Sequence, residues 1–266
     1  MRKIFSFIKR DFLIDTSYTI SFCIRWVGIA ISVFMFYYLS GLIGGKGEGY
    51  LLKYGGNYFS FVLIGLVAAS YLDSAVNGLI NSVSREHWSG TLEPLLAVPM
   101  KTMGIIFSLG AYNLMMGFLA AGFFLFLGAI FGADFSSANL LSVLVIGLLA
   151  TVSFLSVGIG AAACIIILKK GDPLAGTLTN LMWLLGGAYF PVTVFPQPLQ
   201  KLAMFLPSTY VFEGLRLAFL KGYSIGMLQD ILVVLAGFAV LLFPLSLFVL
   251  KKAIRYTKKR GTIVFA

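Results

Sequence analysis

Apolar positions in this chain come as long unbroken runs, not as one-sided stripes, and each run is closed by a short polar interruption. Runs of this kind read as helices that cross a bilayer, whose hydrocarbon core of about 30 Å takes roughly 20 residues. They predict an all-α membrane protein, one domain over 1–266, with six spans at 22–43, 58–81, 103–132, 140–168, 173–190 and 227–250. Residues 102–133 contain no charge; a straight helix of that length measures about 48 Å, so tilt or projection beyond the lipid is implied. Residues 1–20 differ. Arg2, Lys3, Ser6, Lys9 and Arg10 fall on one helical arc and Ile4, Phe5, Ile8 and Phe12 on another, the pattern of an amphipathic helix lying in the membrane interface. A cleaved signal peptide is the competing reading, but Asp11 and Asp15 interrupt its apolar core and no small-residue cleavage site follows.

Two interruptions carry more than turn chemistry. In 85–101, Thr91 can cap a short helix that Pro94 enters in its first turn and Pro99 ends. That helix is about seven residues and roughly 10 Å long, too short to cross. Leu92, Leu95 and Leu96 form its apolar face and Glu93 sits at its positive end. It suits docking into a groove on another protein, while a plain interfacial turn explains the same residues. In 191–222, Pro191, Pro196 and Pro198 stop any helix. The pieces 199–206 and 209–221 are apolar yet short, as in re-entrant or interfacial helices on the outer side. Glu213 and Arg216 are spaced i, i+3 and can pair.

Within the spans, Asp73, Asn77 and Asn81 share one face of the second helix, near Ser70 and Ser74. This stripe either lines a pathway or subunit interface, or belongs to a helix end projecting past the lipid. Small residues suggest close helix approach at Gly128 with Gly132, and at Ser156, Gly160 and Cys164. Pro244 marks a kink in the last span.

Composition agrees with the pattern, since 59% of residues are hydrophobic and 11% charged, against about 25% charged in soluble domains. Cys23 and Cys164 lie in apolar runs, so a disulfide framework or cysteine metal site is not indicated. The net charge of +10 could suggest nucleic acid, but the cations punctuate the ends of spans. With both termini cytoplasmic, fifteen Lys and Arg fall inside, six of them in the tail from Lys251 to Arg260, and five outside, at Lys46, Lys53, Lys201, Arg216 and Lys221. The charge therefore encodes topology and lipid anchoring, not a nucleic-acid surface. Gly45-Lys46 fails as a phosphate loop because Ser40 stands five positions before Gly45 and Gly47 follows Lys46. His87 is the sole histidine, and no triad, carboxylate pair or metal cluster can be assembled, so no catalytic residue, metal ligand or cofactor is expected in this chain.

The run Glu86, Gly90, Thr91, Leu92, Glu93, Leu95, Leu96 and Pro99, preceded by Arg85, resembles the signature between the second and third spans of ABC-2 type permeases. Gly187, Phe190, Pro191, Pro198, Leu199, Pro207, Glu213, Leu215 and Arg216 resemble that family's motif before its last span. The resemblance covers essentially the whole chain. It implies that 85–101 is a coupling helix that receives the stroke of a separate ATPase subunit, and that the N-terminal helix lies beside that ATPase. It also implies ATP and Mg on that partner, a second permease copy or homologue, and export of drugs, lipids or lipid-linked glycans across the cell membrane. The residues leave an ion- or proton-coupled carrier open as the alternative, with Asp73 as its ionisable group.

Overall fold

A computed structural model describes residues 2–43, 48–91, 94, 102–168 and 172–260, and among these the regular structure is helical throughout. The elements are α1 Arg2–Ser17, α2 Thr19–Ile43, α3 Glu48–Leu51, α4 Tyr58–Trp88, α5 Thr102–Ile130, α6 Leu140–Leu168, α7 Asp172–Gly186, α8 Gln197–Ala203, α9 Pro207–Leu220 and α10 Gln229–Arg260. Five of them, α2, α4, α5, α6 and α10, are long and apolar enough to cross a membrane.

The bundle is built around α4. In its apolar window 78% is buried inside the protein, against 11% for α2 and 17% for α10. Between helices in lipid, burial against water supplies little, because lipid tails are as apolar as leucine; close packing and interhelical hydrogen bonds must hold the bundle. Glycines make that packing. A Cβ on Gly158 of α6 would lie 2.9 Å from the Ala75 carbonyl oxygen, and one on Gly128 of α5 would lie 2.0 Å from Leu63. Asn113 of α5 adds a polar tie, donating to the Gly78 carbonyl at 3.0 Å and the Ser82 hydroxyl at 2.9 Å. Large apolar side chains on α2 and α10, among them Ile24, Ile31, Val240 and Leu241, face outward.

Several expectations need correction. The run expected to cross at 173–190 is helical only over Asp172–Gly186, fifteen residues or about 22 Å. Its end is imposed locally: Gly187 turns with φ 83°, and Gly186 is crowded by Ser208 and Phe212 of α9. The second span, expected to stop near residue 81, continues as α4 to Trp88, so Arg85 and Glu86 stand in its last turns. Gly128 and Gly132 are not a packing pair, since Gly132 adopts φ 89° beyond the end of α5. Ser156 is buried, but Gly160 has no neighbour near its Cβ position and Cys164 is exposed; Gly158 makes the close approach instead.

The apolar pieces expected at 199–206 and 209–221 are α8 and α9. Pro198 and Pro207 stand in their first turns, where a missing N–H leaves no helical bond unmade. Most of α9 is buried, from Pro207 to Phe219. Its far end and the turn after it are stitched to the start of α6, where Asn139 N donates to the Ala218 carbonyl at 2.9 Å and Ser142 Oγ to the Tyr223 carbonyl at 2.8 Å.

Candidate functional site

Polar residues gather in three places along the bundle: at the C-terminal end of α4, midway along it, and beside its N-terminal end.

At the C-terminal end of α4, Gly90 adopts φ 67° and closes the helix, with Thr91 N donating to the Glu86 carbonyl at 3.0 Å. This is the left-handed glycine stop that satisfies the last carbonyls of a helix. The Thr91 hydroxyl also donates back to the Glu86 carboxylate. Thr91 thus helps close α4; the helix it was expected to cap lies outside the described residues. Glu86 is 8% exposed, a depth at which a carboxylate requires partners. It finds a second one in α1, where Arg10 Nη2 lies 2.8 Å from Glu86 Oε1 and the same nitrogen 2.8 Å from Asp11. Further along α1, Asp15 accepts from the Tyr112 hydroxyl of α5 at 2.6 Å and pairs with Arg25 of α2 at 3.1 Å. One amphipathic helix therefore clasps α2, α4 and α5. Arg85 is exposed beside Glu86. Leu92, Glu93, Leu95, Leu96 and Pro99 lie outside the described residues.

Midway, the expected stripe divides. Asn77 Nδ2 donates to Asp73 at 2.6 Å and to the Thr179 hydroxyl of α7 at 2.9 Å. Its own Oδ1 is buried without a partner among the described residues. Asn81 is exposed and takes no part in this node. Sequence reasoning passed over Asn113, whose bonds to Gly78 and Ser82 tie α5 to the same helix. A lone amide in an otherwise uncharged run was the available signal.

Beside the N-terminal end of α4, the second motif folds around Arg216, which is 2% exposed. Its Nε donates to the Phe61 carbonyl at 3.0 Å, its Nη2 to the Ala188 carbonyl at 2.7 Å, and its guanidinium carbon lies 3.6 Å from the centroid of the Phe61 ring. Gly65 makes this possible, because a Cβ there would fall 2.0 Å from the Ala188 oxygen and 2.5 Å from Arg216 Nη2. Glu213 was expected to pair with Arg216 and instead pairs with Lys53, in the turn before α4. Gly187, Phe190 and Pro191 shape the backbone here: Gly187 by its left-handed turn, Phe190 by an edge contact with Phe195 at 5.2 Å, and Pro191 by opening the short turn Val192–Val194. Between these elements is a cavity of about 270 Å³, lined by Tyr50, Lys53, Tyr54, Thr209, Glu213 and Arg216 among others.

Among the described residues no nucleophile and base are assembled; the arrangement offers two polar ends joined by a buried axial helix. Among known families, a model described as ABC-2 type transporter matches residues 2–220, from α1 to the end of α9. No curated protein matches the chain.

Proposed function

The chain belongs to the ABC-2 type transporter family, is a multi-pass membrane protein, and from that premise we propose that it is the permease subunit of an ATP-driven exporter. Its work is to move an amphipathic substrate, such as a drug, lipid or lipid-linked glycan, across the cell membrane. A separate ATPase subunit supplies the energy and binds ATP and Mg; this chain dimerises with a copy of itself or a homologous permease. Both termini lie in the cytoplasm, and α7 with α8 and the buried α9 takes the place of the sixth crossing as a short span followed by a re-entrant pair.

The observation that carries this reading is the fastening of Glu86. It stands in the last turn of the buried axis of the bundle, is held by Arg10 and Thr91, and lies a short turn ahead of the segment 92–101. A push on that segment would reach α4 and, through Asp15, also α2 and α5. Packed interiors transmit displacement because they do not compress. Motion made in the partner thus becomes a rigid shift of the helices that border the pathway.

The test is to co-express the chain with a candidate ABC ATPase and to place single cysteines at Thr91 and Leu95. Crosslinking of both to the ATPase, and substrate-stimulated ATP hydrolysis by the reconstituted pair, are the expected results. An ion-coupled carrier remains the second reading, favoured by the Asp73, Asn77 and Thr179 node at mid-depth. Uphill transport by the chain alone in a proton or sodium gradient would establish it and overturn the first.

A further inference from the structure

The cavity around Arg216 has a composition that helix packing does not call for. A fully buried guanidinium is costly, and an apolar residue of similar volume would satisfy a purely structural role with less desolvation. Two of its nitrogens, Nε and Nη2, are engaged by the Phe61 and Ala188 carbonyls. Nη1 is left to serve a ligand in the cavity that Arg216 lines. The cavity is also lined by Tyr50, Tyr54 and the ion pair of Lys53 with Glu213, while the Thr209 hydroxyl on its wall donates to the Ala203 carbonyl at 2.6 Å. Two cations against one carboxylate leave the lining with an excess of one positive charge. The volume of about 270 Å³ accepts a small polar headgroup but no folded partner. A planar guanidinium donor in a polar cavity with a net positive lining suits a tetrahedral oxyanion.

The geometry points to a phosphate-binding site in this cavity, with Arg216 as the buried donor and the Lys53 and Glu213 pair as its adjustable rim. The phosphate is either that of a membrane lipid headgroup or a free one. This inference is separate from the exporter reading, since it needs neither an ATPase nor transport.

The experiment uses the full chain purified in a non-ionic maltoside detergent. It is titrated calorimetrically with short-chain phosphatidylglycerol below its micelle concentration and, in a second arm, with inorganic phosphate. Rim variants are chosen because they spare the buried arginine and shift the local charge in opposite directions. Glu213→Gln removes the carboxylate and frees Lys53, so it should tighten binding by roughly fivefold; Lys53→Ala leaves Glu213 facing the ligand and should weaken it by roughly the same factor. Damage to the fold alone would weaken both. Binding of phosphatidylglycerol without inorganic phosphate identifies a lipid headgroup as the ligand, and binding of both identifies the phosphate group itself. Absence of binding in both arms, or variants that are unchanged or move in the same direction, would overturn the site.

Discussion

Arg10 of the N-terminal helix and Glu86 near the end of the axial helix are joined by a 2.8 Å ion pair that fastens the amphipathic α1 to α4. Asp15 ties the same helix to α5 and α2, so the Arg10 pair is what adds the end of α4 to that set of contacts. With it, force on α1 or on the end of α4 is felt by both.

Substitution of either partner should therefore weaken coupling more than folding. Arg10→Gln and Glu86→Gln are expected to lower substrate-stimulated ATP hydrolysis by the assembled transporter. The reversed pair, Arg10→Glu with Glu86→Arg, should recover part of it. Arg10 is 39% exposed at its side chain, so the pair energy is that of a screened contact, about 1 kcal/mol. A double-mutant cycle on ATPase rates measures it, and additive losses would show that the two residues act independently.

Two glycines should respond differently to alanine. Gly90 has open space at its Cβ position, so Gly90→Ala meets only the left-handed backbone penalty, about 1 kcal/mol. Gly65→Ala forces a Cβ onto the Ala188 oxygen at 2.0 Å and onto Arg216. It is expected to abolish the monodisperse elution peak in detergent, whereas Gly90→Ala should only lower the melting temperature.

Asn113→Ala removes hydrogen bonds from α5 to α4 in a setting without water to replace them. A loss of about 1 kcal/mol is expected, in the range of interhelical bonds within membranes. Unfolding in mixed micelles against a denaturing detergent reads it. An Asn113→Ala protein as stable as the parent would mean that Gly78 and Ser82 find other partners.

Orientation can be read directly. Single cysteines at Ser89 and at Val194, both exposed, stand at opposite ends of the bundle. In intact cells a membrane-impermeant maleimide should label the residue 194 variant at once and the residue 89 variant only after lysis. Reversal of that order would invert the topology.

Much of this protein was legible in its sequence. The lengths of the apolar runs and the places of Lys and Arg determined where the long helices lie, because hydrocarbon thickness sets their length. The motif around Glu86 and the one around Arg216 singled out the two polar ends. The sequence alone did not determine which side chains would meet. In lipid, a helix face turned to neighbours and one turned to the bilayer are equally apolar, so periodicity carries no orientation. Only the tertiary structure decided that Glu86 takes Arg10, that Glu213 takes Lys53 and not its neighbour Arg216, and that α7 stops at Gly186. The left-handed turns at Gly90 and Gly187 and the close approach of Gly65 to the Ala188 carbonyl and Arg216 set these meetings, and residue order does not reveal them until the helices are packed.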